Sequence, residues 1–294
     1  MKNNLRLAFW GTGELAARVL EILLNNDFIP ALVITSPDKP KGRGLELQPS
    51  PVKLLAQARS LRVDQPEKLK EYMPEGDWDL FIVAEYGKII PQRLIDLPKR
   101  KTINVHPSLL PKFRGPSPIQ SFMLSSETET GVSIMLIDAE MDHGPVLESR
   151  KLKVESKKVF NKEMEKELAE LGGQMLLEVI PQWLEGKITP QEQDHSQATY
   201  CRKVTKEMGL VDLEKDSPEE IYKKVLALTP WPSAYFFVDS HGAKMRIIIT
   251  DADFKDGRLW INKIKPEGKK EMPPNDFLRG NPDLEKFLGK IISS

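Results

Sequence analysis

The first half of the chain alternates short apolar runs with segments that carry apolar residues at helical spacing. The apolar run 5–10 is followed by such a helical segment, and a second apolar run covers 31–35. Strand–helix–strand alternation is typical of a parallel sheet with crossover helices. Further buried strands are predicted at 80–84, 102–105, 132–137 and 146–152. The pattern therefore predicts an α/β fold with a Rossmann-like, mostly parallel sheet.

Two helices of this half have clear sequence signals. Ser50 is a good N-cap residue, and Pro51 suits the first position of the helix that follows. A much longer helix is predicted over 159–184, with the pair Gly172-Gly173 as a weak point inside it.

The pattern changes after residue 184. Residues 185–205 are polar and lack clear periodicity, as expected of a linker that crosses the surface. A helix then begins at Ser217 with a capping-box sequence, and short alternating segments follow at 235–238, 245–250 and 258–264. Such strands predict a small OB-like β-barrel. We therefore expect a first domain at 1–188, a linker at 189–205 and a C-terminal domain at 206–294.

Composition is that of a soluble globular protein. The 294 residues are 40% hydrophobic and 29% charged, and their formal net charge is zero. Any contact with nucleic acid must therefore come from local patches. Cys201 is the single cysteine, which excludes an intrachain disulfide. No apolar run approaches the roughly 18 residues of a membrane-spanning helix. A cytoplasmic location is expected, with no membrane association and no obligate protein partner.

The most informative motif is an asparagine and a histidine at the end of a predicted strand. Asn104 and His106 are two positions apart and thus project from the same face. A proline-rich loop follows them. An amide and an imidazole can both donate to a developing oxyanion, and the imidazole can also accept a proton from an attacking amine. On spacing alone, this acyl-transfer interpretation and a structural capping role are equally supported.

Asp142 lies in a glycine-containing turn, in the sequence MDHGPV. A carboxylate beside a catalytic imidazole would orient it and stabilise its charged form. The sequence by itself favours a simple turn aspartate. His195 and His241 are predicted to be isolated in polar loops, and no Cys/His cluster has the spacing of metal ligands. We therefore expect no metal.

The first strand leads into Gly11-Thr12-Gly13, which opens a G-x-G-x-x-A match. This motif binds dinucleotides when an acidic residue at the end of the second strand holds the ribose. Asp38 lies beyond Pro37 and therefore in the following loop. The glycines are better explained by a tight turn and close helix packing. A nicotinamide-dependent oxidoreductase, or a non-catalytic nucleotide-binding module, remains an alternative.

Two lysine-rich segments are candidates for phosphate contact. The insertion 36–48 is longer than a usual βα loop, and a second cluster lies near the C-terminus. The candidate residues are Lys39, Lys41 and Arg43 in the insertion, and Lys263, Lys265, Lys269 and Lys270 in the C-terminal cluster. Solvated basic turns are the alternative for both segments.

With these residues identified, the chain resembles the folate-dependent formyltransferases nearly end to end. HPSLLPKFRGPSPIQ resembles the folate-site loop of the family, and MDHGPV resembles the segment that carries its aspartate. Other segments resemble those of family members that act on charged initiator tRNA: SPDKPKGRGLELQPSPVK, ATYCRKVTKE, LTPWPSAYF and EGKKEMPPNDFLRG.

The resemblance implies transfer of the formyl group of 10-formyltetrahydrofolate to the α-amine of methionyl-initiator-tRNA. It implies catalytic roles for Asn104, His106 and Asp142. The residues implied to bind the folate co-substrate are Tyr86, Gly87, Ser108, Leu109, Leu110 and Pro111. The basic residues named above would contact tRNA. An amino sugar nucleotide is the alternative acceptor, but the insertion and the C-terminal barrel argue against it.

The chain departs from the family pattern at two places. Gly13 and Leu15 replace a usual proline and phenylalanine, and Glu85 replaces a small or neutral residue. The first departure is expected to alter the turn rather than the chemistry. The second is expected to modify the folate pocket.

Overall fold

The computed structural model describes residues 5–41, 46–154, 158–240 and 243–282. The chain divides into two compact units. The first comprises Met1–Pro118, Thr128–Lys153 and Glu165–Cys201, and the second comprises Ile119–Glu127, Val154–Met164 and Arg202–Ser294. The domain boundaries expected at 188 and 205 stay a prediction, although residues 189–201 belong to the first unit.

The structure contains every strand and helix predicted for the first 184 residues, together with three short strands and two short helices that the hydrophobic pattern does not predict. The strands are β1 (Leu7–Gly11), β2 (Leu32–Ile34), β3 (Lys39–Lys41), β4 (Glu46–Gln48), β5 (Val63–Asp64), β6 (Leu80–Ala84), β7 (Thr102–His106), β8 (Thr130–Leu136) and β9 (Val146–Leu152). The helices are α1 (Glu14–Asn25), α2 (Pro51–Ala58), α3 (Gln92–Ile95), α4 (Pro118–Leu124) and α5 (Asn161–Leu184). The elements that the pattern does not predict are β3, β4, β5, α3 and α4.

Seven of these strands form one mixed sheet in the order β5-β2-β1-β6-β7-β8-β9. The strands from β5 to β7 are parallel, whereas β8 and β9 pair antiparallel. The chain runs outward in one direction from β1 to β5 and in the other from β6 to β9. Ligands of such sheets bind where this direction reverses, outside the carboxyl ends of the strands. The end of β7 lies one strand away from that point.

Local sequence explains how the helices are placed. The Ser50 hydroxyl accepts a hydrogen bond from the Lys53 N–H at 3.0 Å, which caps α2 as predicted. Helix α5 continues through Gly172-Gly173 without a break. A Cβ on Gly172 would lie 2.6 Å from the Val105 side chain, and one on Gly173 would lie 2.6 Å from Ile22. The glycine pair therefore permits close packing of α5, including packing on β7.

Residues 39–41 and 46–48 of the polar insertion form two short paired strands. Strands β3 and β4 pair antiparallel, with Lys39 opposite Gln48. Its neighbour Asp38 forms an ion pair with Lys53 at 2.8 Å and accepts a hydrogen bond from Gln65 at 2.8 Å. These contacts fix the beginning of the insertion against the unit.

The second unit contains an antiparallel sheet of strands β10 (Ala234–Ser240), β11 (Ala243–Lys255) and β12 (Arg258–Pro266). Helices α6 (Pro218–Leu228) and α7 (Pro274–Arg279) accompany it. Ser217 and Glu220 form the predicted capping box at the start of α6. Alternate sheet residues such as Phe236, Ile247 and Ile261 share a core with Ile221 and Val225 of α6.

The predicted fold class is confirmed: a Rossmann-like, mostly parallel sheet is followed by a small antiparallel β unit. Among the described residues, the sequence contains no helix that is long and apolar enough to cross a membrane.

Candidate active site

The site is built at the carboxyl end of β7. Val105 is buried among the sheet residues, and Asn104 and His106 project from the opposite face of the strand. His106 is only 4% exposed, whereas Asn104 is half-buried. His106 pairs in register with Ser133 of β8. The strand therefore holds an amide and an imidazole on one face, as the sequence predicts.

Backbone geometry fixes the protonation pattern of the His106 ring. Its Nε2 atom lies 3.0 Å from the carbonyl oxygen of Phe113. A carbonyl can only accept a hydrogen bond, so Nε2 must carry the proton. In the neutral ring, Nδ1 therefore has the free lone pair. Nδ1 lies 3.6 Å from Oδ1 of Asp142, which is longer than a hydrogen bond but close enough for a charge to act.

Asp142 is held by the backbone rather than by the imidazole. Its Oδ2 atom accepts a hydrogen bond from the Gly115 N–H at 2.7 Å. Gly115 has a φ of +118°, and a Cβ there would lie 2.6 Å from the Cys201 carbonyl oxygen, so glycine is required. The structure therefore brings Asp142 to His106 across 36 sequence positions, and the loop after β7 supplies contacts to both.

The loop 107–112 is fixed by hydrogen bonds to a single serine of β8. The Ser133 hydroxyl donates to the Ser108 carbonyl at 2.9 Å and accepts from the Leu110 N–H at 3.0 Å. The Ser108 hydroxyl, in turn, donates to the Lys112 carbonyl at 2.7 Å. Leu109, Leu110 and Pro111 are half-buried on this framework. The predicted folate loop is thus a rigid, largely apolar wall beside His106.

Tyr86 and Gly87 follow β6 and occupy different environments. The Tyr86 ring is buried and packs edge-on against Trp10, with ring centroids 5.3 Å apart. Burial raises the pKa of Tyr86 to about 12. Gly87 is exposed, has a φ of +76° and has open space where a side chain would be. In this structure only Gly87 presents a surface to a ligand, while Tyr86 supports the loop from below.

Two residues that sequence reasoning missed support the site. Arg114, 1% exposed, donates from Nε and Nη2 to the Gln193 side-chain oxygen at 3.1 and 2.7 Å. Gln193 contacts the turn that contains Asp142. The two residues are 79 positions apart and neither belongs to a spacing motif. An arginine inside an apolar, proline-rich loop was the only available signal.

His195 is not isolated, contrary to the prediction. Its ring stacks on that of His143, with centroids 4.0 Å apart and planes at 3°. The His143 Nδ1 atom is 2.7 Å from Asp138, and the His195 Nδ1 atom is 2.8 Å from Arg114. His241 lies outside the described residues.

The N-terminus of α1 is occupied by carboxylates, which weakens the dinucleotide alternative. Glu85 accepts hydrogen bonds from the N–H groups of Leu15 and Ala16, and Glu165 also lies 3.3 Å from the Leu15 nitrogen. Partial removal from water and repulsion by Glu165 raise the pKa of Glu85 to about 7. The helix end that would hold a pyrophosphate in a dinucleotide fold is therefore filled by acidic side chains.

The basic candidates lie apart in the sequence, and the structure describes five of them fully. Lys39 is exposed on β3; the Lys41 side chain and Arg43 lie outside the described residues. Lys263 and Lys265 are exposed on one face of β12, and Lys269 and Lys270 are exposed in the turn that follows. Lys263 forms an ion pair with Glu271 at 3.4 Å, which offsets part of its charge.

Aromatic residues accompany the cations on the outer face of the C-terminal sheet. The Lys244 ammonium lies 4.4 Å from the centre of the Phe237 ring, and the Arg246 guanidinium lies 5.6 Å from that of Tyr235. In register, Tyr235 pairs with Ile248, which pairs with Lys265 on the next strand. Aromatic rings interleaved with cations are typical of nucleic-acid-binding surfaces.

The Rossmann-like sheet holds His106 close to Asp142 at its carboxyl edge, the edge at which enzymes of this α/β class bind their substrates. The family model of formyl transferase matches residues 5–180, and that of the formyl transferase C-terminal domain matches residues 203–255. A methionyl-tRNA formyltransferase of Thermotoga maritima is 38% identical over 269 residues, covering 90% of this chain and 85% of that protein. One of Dictyoglomus thermophilum is 37% identical over 308 residues, covering 94% and 97%. The chain belongs to the formyl transferase family.

Solved structures show the same fold at low sequence identity. The N-formyltransferase of Helicobacter canadensis, in complex with folinic acid and dTDP-3-aminofucose, aligns with a TM-score of 0.62 at 18% identity, covering 88% of this chain and 94% of that one. HypX of Aquifex aeolicus, in complex with tetrahydrofolic acid, aligns with a TM-score of 0.63 at 19% identity, covering 99% of this chain and 49% of that one.

Proposed function

We propose that this formyl transferase moves the formyl group of 10-formyltetrahydrofolate to the α-amino group of methionyl-initiator-tRNA. The observation that carries the chemistry is the His106 ring, whose Nε2 proton is held by Phe113 and whose Nδ1 atom faces Asp142. The family membership supports the formyl group, and the methionyl-tRNA formyltransferases among the relatives support the acceptor.

Each of the three site residues has a separate role in the transfer of the formyl group. As the amine attacks the formyl carbon, the Asn104 amide donates a hydrogen bond to the oxygen that gains negative charge. His106 accepts the amine proton at Nδ1 and delivers it to the departing folate nitrogen. The charge of Asp142, 3.6 Å away, stabilises the imidazolium that exists between these two steps. The formyl carbon forms a bond to the amine nitrogen and loses its bond to the folate nitrogen, which receives the proton that the amine gives up. No covalent intermediate with the enzyme is needed.

The donor is supported by the wall beside His106. Residues Ser108 to Pro111 form a loop held by Ser133, with the apolar side chains Leu109 and Leu110 half-buried on it. Gly87, at the end of the neighbouring strand, leaves open space. An apolar wall with a few fixed polar groups suits a flat heteroaromatic ring such as a pterin.

The acceptor is supported by the second unit. An enzyme for a small amine has no need of a sheet face that combines Tyr235, Phe237, Lys244 and Arg246 with the lysines of β12. Such a face suits the phosphates and unstacked bases of a tRNA. Lys39 of β3, with Lys41 and Arg43, would add a further contact.

The test is a direct assay of the acceptor. The protein is incubated with 10-formyltetrahydrofolate and either charged initiator tRNA or a dTDP-amino sugar, and each formylated product is measured. Formylmethionyl-tRNA as the preferred product, by kcat/KM, is the expected outcome. Preference for the amino sugar would overturn the acceptor assignment and leave the formyl chemistry intact. If neither acceptor raised the release of tetrahydrofolate above the rate without enzyme, both the acceptor assignment and the formyl-transfer chemistry would be overturned.

A further inference from the structure

We propose that Gln193, fixed by Arg114, is a positioning residue that holds the Asp142 carboxylate in place for proton transfer at His106. This inference rests on the proposed function of the site, and it assigns a catalytic-support role to the segment 193–201. That segment lies in the first compact unit.

The Gln193 side chain is 7% exposed and uses all of its hydrogen-bonding capacity. Its Nε2 atom donates to the carbonyl oxygens of Asp142 and Gly144, at 3.0 and 2.7 Å. Its Oε1 atom accepts two hydrogen bonds from Arg114. Because carbonyls only accept and a guanidinium only donates, a flipped amide would lose all four bonds. The orientation of Gln193 is therefore fixed by chemistry.

These bonds act on the turn that presents the carboxylate. Asp142 has a φ of +51°, a left-handed conformation that is uncommon for residues other than glycine, although Asp and Asn tolerate it better than most. Gln193 holds the carbonyl of Asp142 itself and that of Gly144, while the Gly115 N–H holds Oδ2. The carboxylate is thus fixed from its backbone side and from its side-chain end. Loss of either support would let the charge move away from Nδ1 of His106.

Arg114 is fixed in turn by the same segment. Its N–H donates to the Thr199 carbonyl at 2.8 Å, and its carbonyl accepts from the Cys201 N–H at 2.7 Å. Its guanidinium also reaches the His195 Nδ1 atom and lies over the Tyr200 ring. The tripeptide 113–115 therefore makes three successive contacts: Phe113 with His106, Arg114 with Gln193, and Gly115 with Asp142. A shift of this tripeptide would alter all three contacts together.

The main test is a double-mutant cycle on turnover with 10-formyltetrahydrofolate and methionyl-tRNA. Gln193→Ala is expected to lower kcat about 10- to 100-fold, with KM for both substrates changed less than about threefold. In an Asp142→Ala background the same substitution is expected to change kcat less than about twofold, because its effect passes through Asp142. Equal effects in the two backgrounds would overturn the proposal.

A second variant separates positioning from folding. Gln193→Glu has the same shape and keeps the oxygen that accepts both bonds from Arg114, but an oxygen replaces the Nε2 atom that donates to the carbonyls of Asp142 and Gly144. A loss of kcat is expected in a variant that still unfolds cooperatively, at a Tm lowered by the two lost hydrogen bonds, and wild-type turnover would contradict the role. The matched control is Gln191→Ala, since the exposed Gln191 side chain donates to the Thr189 carbonyl and to no other group in the part of the chain that the structure describes. It should leave kcat unchanged.

One readout does not depend on the acceptor. The Gly115 N–H donates to Oδ2 of Asp142 at 2.7 Å, so amide hydrogen exchange at Gly115 in the free enzyme reports whether the carboxylate is in place. In Gln193→Ala this exchange is expected to be at least about tenfold faster than in the wild type, because a displaced carboxylate no longer accepts the bond. Unchanged exchange would overturn the positioning role even if the acceptor assignment were correct. Faster exchange at Gly115, with unchanged exchange in Gln191→Ala, would support it even if methionyl-tRNA were not the acceptor.

Discussion

Gly13 leaves open the space that the Glu85 carboxylate fills at the N-terminus of α1. A Cβ on Gly13 would overlap the carboxylate, while the backbone of Gly13 (φ −81°) is one that any residue adopts. Glycine at 13 and glutamate at 85 therefore depend on each other: the Glu85 carboxylate can bond the N–H groups of α1 only while residue 13 lacks a side chain.

This pairing predicts that the losses of unfolding free energy caused by Gly13→Ala and Glu85→Ala are not additive. Either substitution alone removes the contacts between Glu85 and the α1 N–H groups, at about 1 kcal/mol of unfolding free energy. The double variant should be no less stable than either single one. Thermal or urea unfolding gives the comparison. Gly280→Ala is the control, since a Cβ there meets only an ordinary contact at 3.7 Å. Additive losses would contradict the pairing.

The same carboxylate predicts a pH dependence of stability. The pKa of Glu85 is raised in the folded protein, from its ordinary 4.5 to about 7. Its stabilising contribution is therefore fully present below pH 4.5 and is lost as the pH rises through 7. Relative to the wild type, Glu85→Gln should gain stability between pH 5 and 8. Because the side chain is partly open to solvent, we expect about 1 kcal/mol, or roughly 2–4 °C in Tm. Parallel Tm profiles for the two proteins would exclude this assignment.

His106→Ala and Asp142→Asn are predicted to fold and to lose most of their turnover. Asn tolerates the positive φ of residue 142 and can still accept the Gly115 N–H, so Asp142→Asn removes the charge alone. We expect kcat to fall about 10²- to 10⁴-fold in each variant. Single-turnover formylation with saturating substrates measures the chemical step. Asp138→Asn, in the same turn but paired with His143, is the control. Near-wild-type rates in either active-site variant would refute the assigned roles.

The sequence identified candidate residues of this site, but it did not predict which of them contact one another. Asn104 and His106 could be placed on one face of a strand because side chains alternate along an extended chain. Asp142 could be named, but its approach to His106 depends on β8 returning antiparallel beside β7 and on the turn beyond it. The Phe113 carbonyl that fixes the imidazole is a backbone atom, which every residue has. Gln193 lies in a polar segment without periodicity, where hydrophobic patterning carries no information.

The C-terminal lysines are predicted to contribute to tRNA affinity through charge. Reversing Lys269 and Lys270 to Glu should weaken binding, reduce the salt dependence of the binding constant and leave the folate KM unchanged. Filter binding over a salt titration measures both effects. Lys68→Glu with Lys70→Glu is a control of equal charge change, at exposed positions of the first unit. An unaltered salt slope in the first variant would remove these lysines from the interface.

Phe237 and Tyr235 are predicted to contribute through stacking, which charge reversal does not test. Phe237 is 39% exposed although it is aromatic, and Lys244 lies over its ring at 4.4 Å. A base stacked on such a ring contributes about 1–3 kcal/mol, so Phe237→Ala should weaken tRNA binding roughly 5- to 150-fold. The salt slope should stay unchanged, because no cation is removed. Phe237→Tyr keeps a planar ring and is expected to retain the affinity. If Phe237→Ala bound tRNA as tightly as Phe237→Tyr, the exposed ring would have no stacking role. If its salt slope fell instead, the ring would act by placing Lys244 against a phosphate.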